Sequence, residues 1–346
     1  MLARNQTFDG EGSSMRVRAR LTTAAAGSSL ALALAASLSG CMTVHGEEAV
    51  VPAASEKEAQ AALERYVETS NEASESLDAE LNSTVESGAL GTIRAAQLTS
   101  MHTRSPAGNE NFTPLEVSDT QFHIPQQAGW PKFFVADTQS NQTPDNRWLL
   151  VFTRTSIDED WGASYLTLLP AGGGPELAED DDGYLDDLPV TGETNTGLVI
   201  EPGEVSTAYA EYLQNGDGPF NDGEWTSAEV TRREELDGNA AFVMEYQDAA
   251  PAGDREGFQP VAMRTTDGGA LVLFASLHNQ KQTMAEGETL EVHEDVEPLL
   301  DTPAERSLTL EQVAMISAVV PEGEEDALNA VELLFRSIGV VSASGD

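Results

Sequence analysis

The hydrophobic period of this chain switches from helical to alternating twice, and the two switches flank a stretch that supports neither period. Ser55 with Glu58 three residues on is a capping-box pattern, and Ala59, Ala62, Leu63, Tyr66 and Val67 follow at helical spacing. The spacing predicts a helix over 55–82. A second is expected over 84–100, carried by Val85, Leu90, Ile93, Ala96 and Leu98 and weakened by Gly88 and Gly91. Period two then sets in. Strands are expected at 115–124, 132–139, 147–155 and 161–170, each bounded by Pro, Gly, Asn or Asp, as antiparallel hairpins require.

Residues 171–203 break the pattern with Gly172-Gly173-Gly174, the run Glu179-Asp180-Asp181-Asp182 and Asp186-Asp187, the composition of a linker or surface excursion. The order then returns. Val205, Ala208, Tyr209 and Tyr212 predict a helix that Asn215-Gly216 ends. Strands are expected at 226–235, 240–247, 258–266, 269–278 and about 288–293, with Asp267-Gly268-Gly269 as a hairpin turn, and one long strand at 306–320. Over 326–341 the residues from Ala327 to Leu334 have helical spacing and those from Ile338 to Val341 read as strand.

The expected fold class is therefore α+β: two tandem domains, each a helix packed on a curved antiparallel sheet. The expected bounds are 56–172 and 203–346, with 173–202 as an acidic linker or loop. That plan resembles the cystatin-like and nuclear-transport-factor-2-like superfold. One larger α+β domain with the acidic loop inserted is the alternative.

Ahead of the helices, Arg16-Val17-Arg18-Ala19-Arg20 precedes a charge-free apolar run from Leu21 to Leu38 that closes on Leu38-Ser39-Gly40-Cys41. Basic, apolar and small residues in that order are the plan of a secretory signal peptide. It is expected over 1–40, with Met15 as an alternative start, and a tether is expected over 41–55. Thr22, Thr23, Gly27, Ser28 and Ser29 make the run a poor spanning helix. The closing tetrapeptide resembles the lipobox of bacterial lipoproteins, in which the cysteine thiol receives a diacylglycerol. The resemblance implies lipidation of Cys41 and a protein held on the outer face of the cytoplasmic membrane.

Charge narrows the partners. The 346 residues carry 59 Asp+Glu against 18 Lys+Arg, a net charge of -41, which repels phosphates, so no nucleic-acid partner is expected and anionic lipid head groups are poor candidates. Removing residues 1–40 leaves 14 basic and 57 acidic residues, and the only lysines are Lys57, Lys132 and Lys281. One cysteine rules out an intramolecular disulfide.

Trp130-Pro131-Lys132-Phe133-Phe134-Val135, Leu149-Leu150-Val151-Phe152-Thr153-Arg154, Trp161 and Leu168-Leu169-Pro170 follow in order, and then Asp182-Gly183-Tyr184 and Pro202-Gly203-Glu204-Val205. Together they resemble a family of actinobacterial secreted lipoproteins whose domain has no assigned function. The resemblance runs over most of 55–341 and implies fold and location, with no catalytic residue to carry over.

Chemistry-bearing motifs are scarce. The sequence holds no phosphate-binding glycine loop and no Gly-x-Ser-x-Gly elbow. His293-Glu294-Asp295-Val296-Glu297 lacks the second histidine of a metalloprotease helix. Around Gly183 an EF-hand would need Asp or Asn where Ala178 stands and Glu where Pro189 stands. No cofactor and no metal site is expected. One constellation stands out: Trp130, Phe134, Arg154 and Trp161 fall near the ends of neighbouring strands, where aromatic walls and one guanidinium suit an anionic or sugar-like ligand. The competing reading is that the aromatics fill the core and Arg154 pairs with Asp158, Glu159 or Asp160. The residues thus point to a lipid-anchored, non-catalytic binding module whose partner is a protein or small molecule. A carboxylate-based envelope hydrolase and a structural spacer are the alternatives.

Overall fold

In the computed structural model the described residues are 49–192, 195–236, 238–253, 255–324 and 327–346. The expected leader, Cys41 and the first part of the tether lie outside them. The chain opens with β1 (Val51–Pro52), α1 (Glu56–Ser76), the single turn α2 (Ala79–Asn82) and α3 (Gly88–Arg104). The strands β2 (Val117–His123), β3 (Gln126–Gln127), β4 (Lys132–Ser140), β5 (Asn146–Arg154) and β6 (Gly162–Pro170) follow. After β7 (Asp187–Leu188) come α4 (Val205–Asn215) and α5 (Ser227–Leu236). The chain ends with β8 (Phe242–Ala249), β9 (Val261–Arg264), β10 (Ala270–Met284), β11 (Ser307–Val320) and β12 (Glu332–Gly345).

Local chemistry sets the helix ends. Ser55 Oγ accepts from the Glu58 amide at 3.2 Å and the Glu58 carboxylate accepts from the Ser55 amide at 2.9 Å, the reciprocal capping box. α1 stops where Leu77 turns left-handed, and Asp78 then caps α2. α4 closes on Gly216 at φ 75, a conformation open to glycine at little cost. Residues 51–54 already belong to the fold: β1 pairs with β3, and Ala53 and Ala54 are buried.

The first sheet has the order β2-β4-β5-β6 and the second β12-β11-β10-β9-β7, all antiparallel. β10 is long enough to hold two partners on one edge, β9 against Ala270–Leu273 and β8 against Leu277–Met284. Register shifts in the β2–β4, β5–β6 and β11–β12 ladders supply the curvature. The mixed helix and curved antiparallel sheet is the class expected from the sequence.

Alternation along the second sheet decides the layering. Val261, Met263, Leu271, Leu273, Ala275, Val313 and Met315 join α1, α3 and the first sheet in one apolar cluster. Their neighbours Ala262, Ala270, Val272, Phe274, Ala314, Ile316 and Ala318 face the other way, onto Val205, Tyr209, Tyr212 and Leu213 of α4 and its surroundings. A strand covered on both faces reads as a continuous apolar run, which is what Ala270 to Ala275 is. Polar contacts cross the same seam: Tyr165 donates to the Phe258 carbonyl at 2.9 Å, and the Thr167 and Ser317 hydroxyls lie 2.7 Å apart.

Two expected strands are corrected. Residues 227–236 form α5 where a strand was expected over 226–235, because Glu229 reaches Arg232 at i+3 and Arg233 at i+4, at 2.7 and 2.8 Å, and no residue of the helix is buried. Residues 288–293 form no strand. Leu290 and Val292 alternate only to reach a small cluster with Val296, Leu308 and Ala343, without a ladder partner. The segment read both ways, 326–341, resolves as strand from Glu332. Among the described residues no helix is long and apolar enough to cross a membrane.

Candidate functional site

β4 and β5 are in register with Lys132 directly opposite Arg154. Like charges facing each other across a ladder are unfavourable by up to about 1 kcal/mol. Lys132 and Phe134 share one face of β4 by period two, and Trp130, in the bend before the strand, lies over both cations.

Arg154 places its guanidinium 5.2 Å from the Trp130 ring centre and 4.6 Å from that of Trp161. Such stacking contributes about 0.5–2 kcal/mol, more as the site dries. Trp161 in turn meets Phe134 edge-on at 4.8 Å, and Phe134 stacks on Phe152 at 4.9 Å. All four residues singled out in the sequence are therefore brought together, in different roles. Phe134 is 0% and Trp161 8% exposed, so both stand in the core and support the site from behind. Trp130 and Arg154 line a cavity of about 890 Å³.

Two of the three acids expected to neutralise Arg154 are engaged elsewhere, and Asp158 makes no ion pair with it. Asp160 pairs with Arg65 at 3.0 Å and Glu159 takes the Thr155 hydroxyl. Among the described residues Arg154 makes no hydrogen bond or salt bridge, and its Nε is buried without a partner. Lys132 Nζ donates to the Gln127 carbonyl at 2.8 Å and lies 5.7 Å from the Trp130 ring centre. Burial, and then the charge of Arg154, pull the Lys132 ammonium below its usual range. Phe122, Ile157 and Tyr184 add apolar and aromatic wall, and Glu56, Glu58 and Asp182 add exposed acids. Glu58 is held low chiefly by the Ser55 amide, then by the Ser55 hydroxyl, with a smaller contribution from Arg154.

Lys132, Glu58 and Tyr184 were not singled out from the sequence as site residues. For Lys132 a signal existed: one of three lysines, two residues from Trp130 in an alternating segment.

A second group was not anticipated at all. Glu86 is buried and accepts from the Asn82 amide at 2.7 Å. Burial raises its titration, against the Asn82 hydrogen bond and the charge of Arg94. It lines a separate cavity of about 310 Å³ with Tyr66, Arg94 and Trp148 and is the only acid on that wall among the described residues. Further away, Asp248 accepts from Arg233 at 2.6 and 3.1 Å and meets His278 Nδ1 at 2.5 Å. Burial opposes the ionised Asp248, and the His278 and Arg233 hydrogen bonds outweigh it. This network lines none of the cavities described above and ties α5 to β8 and β10. Among the described residues no cluster of metal-ligating side chains occurs.

Comparison with known proteins agrees with the family the motifs suggested. Residues 50–345 match the family described as Domain of unknown function (DUF8094). An uncharacterised lipoprotein of Streptomyces coelicolor is 40% identical over 94% of this chain and 97% of its own length. One from Streptomyces avermitilis is 39% identical over 93% and 95%. A further uncharacterised lipoprotein of Streptomyces coelicolor is 24% identical over 68% and 67%. The chain belongs to this DUF8094 family, a family of actinobacterial lipoproteins of unknown function.

Proposed function

We propose that the protein is a lipid-anchored binding protein on the outer face of the cytoplasmic membrane, and that the cavity beside Trp130 receives a small ligand through an anionic group. The observation that carries the site is the cross-strand opposition of Lys132 and Arg154, neither bonded to a carboxylate, in a chain with net charge -41. Two scarce cations held together at a cost to the fold need a reason outside the fold, and an anion between them supplies one. Trp130 and Tyr184 add aromatic wall beside them for the rest of the ligand. The anchor rests on Leu38-Ser39-Gly40-Cys41 and on the lipoprotein relatives. A hydrolase working through paired carboxyls needs a second, ionised acid facing the first. Glu86 stands alone on its wall, so the binding reading has the better support.

Calorimetric titration against inorganic phosphate, glycerol phosphate, simple carboxylates and sugar acids tests the site. At least one probe should bind, Arg154→Ala should abolish that binding, and Arg154→Lys should weaken it through loss of the planar fork. If no probe binds, or if binding ignores Arg154→Ala, the site is misassigned. Membrane fractionation tests the anchor: Cys41→Ala should leave the membrane fraction, and full retention in high salt would refute it.

A further inference from the structure

Six large apolar side chains are exposed among the described residues, and three of them gather at one place. Val51 at 44% exposure and Ile157 at 68% line the cavity of Lys132 and Arg154, and Val50, at 62%, immediately precedes Val51. Single exposed apolar residues are ordinary. Two on the rim of a cavity that holds two of the chain's few cations, with a third beside them in the chain, are a combination that suits one surface, the boundary between lipid headgroups and acyl chains. We propose that this rim docks on the phospholipid bilayer and that the cavity takes the phosphate of one zwitterionic headgroup. The proposal rests on the reading of the cavity as an anion site and names its ligand.

Covalent reach supports it. Val51 lies ten residues after Cys41, and ten residues span at most about 35 Å. A lipid on Cys41 therefore keeps this rim within a short distance of the bilayer. Charge supports the orientation. With 57 acidic against 14 basic residues beyond position 40, most of the surface is repelled by a negatively charged leaflet. The cavity lining, with two cations against three acids, has a far more even charge balance than the chain as a whole and is repelled least. The headgroup type follows from the lining, where Glu56, Glu58 and Asp182 accompany Lys132 and Arg154. Three acids beside two cations disfavour a purely anionic headgroup. They match one that pairs its phosphate with the cations and its ammonium with the carboxylates.

The full acylated protein, reconstituted in vesicles, allows a direct test. Acylation blocks Cys41, the single native cysteine, so an introduced Ile157→Cys carries a bimane label uniquely. Val243→Cys and Leu328→Cys label two other exposed apolar positions that do not line the cavity. In phosphatidylethanolamine-containing vesicles, lipid-borne nitroxide should quench the label at position 157 several-fold more than at 243 or 328. That excess should vanish in vesicles of a phosphate-free glycolipid, and it should fall in Lys132→Gln and in Arg154→Gln, with thermal unfolding used to verify each variant. Equal quenching at all three positions overturns the docking surface. An excess that persists without lipid phosphate, or in both variants, overturns the headgroup site. Mass analysis of the N-terminal peptide reports acylation separately, and titration with soluble phosphate reports the anion site separately. Failure of the docking is thereby distinguished from failure of the reading on which it rests.

Discussion

Lys132 and Glu86 both hold a charge-bearing group where the fold disfavours the charged form, and each makes a testable statement about stability. Lys132 faces Arg154 across the β4–β5 ladder and is pulled below its ordinary titration by burial and by that neighbour. Lys132→Met keeps the aliphatic stem and removes the repulsion. In anion-free buffer it should raise the melting temperature, by an amount in keeping with a cross-strand pair of about 0.2–1 kcal/mol, while ligand binding is lost. A fall in melting temperature would mean that the Lys132 bond to the Gln127 carbonyl matters more to the fold than the repulsion. Glu86 is the opposite case in sign. Its folded titration is raised by burial above the unfolded value of about 4.3, so the folded state binds more protons between the two. Stability from this group is therefore present at acid pH, is lost as pH rises through the folded value, and stays lost at neutrality. Glu86→Gln keeps an oxygen for the Asn82 amide. Melting curves should show the variant more stable than the parent at pH 7, with the gap closing below about pH 4. A destabilised variant at pH 7 would refute the sign.

Between elements, two glycines bring their backbones into close approach. Gly88 opens α3 at φ 56 and Gly257 precedes β9 at φ 71, and a Cβ on Gly257 would stand 2.8 Å from the Gly88 Cα and N. Both backbones need the left-handed region and neither leaves room for a side chain. The helix of the early chain and the loop before β9 are thus fastened by absence of side chains, a contact that the sequence shows only as two isolated glycines. Gly257→Ala should destabilise by more than the ~1 kcal/mol of the left-handed conformation alone, since backbone must shift as well. Denaturant titration checks this, and a loss no greater than that of Gly238→Ala, which has a similar φ and open space around it, would refute it. α5 teaches the complementary lesson. Its Glu229–Arg233 pair at i+4 was visible in the sequence and outweighed the weak alternation that suggested a strand.

Across the whole molecule, one apolar cluster contains Leu63, Leu90, Phe152 and Tyr165 from the first half and Met263, Leu273, Val313 and Met315 from the second. Leu185, from the acidic excursion, joins them, and Leu188 pairs through β7 with β9. Exposed acids at 179–182 and the glycines at 172–174 leave the excursion open to protease. A shared cluster implies that the two halves support each other, so heating should give a single cooperative transition by calorimetry and by circular dichroism. A chain nicked between 171 and 184 should still elute as one species. Two resolved transitions, or fragments that separate and stay folded, would instead show that each half is stable by itself.

Helix starts, turns and strand bodies were legible in the sequence because their causes are local: the Ser55–Glu58 box, Gly216, and the alternation over 132–139 and 147–155 all act within a few residues. The expected leader rests on the same kind of local order, basic, apolar and cysteine in consecutive residues, and lies outside the described residues. Tertiary structure decided the site. Trp130, Phe134, Arg154 and Trp161 were visible as residue types, but their division into a core pair and a cavity pair follows from which face of β4 and β5 the helices cover. The opposition of Lys132 and Arg154 depends on register, which a slip of one residue would undo. The company of Val51, Ile157 and Tyr184 depends on chain segments more than a hundred residues apart being folded onto one rim. Local spacing fixes what each segment can become, whereas long-range packing alone fixes which side chains it will meet.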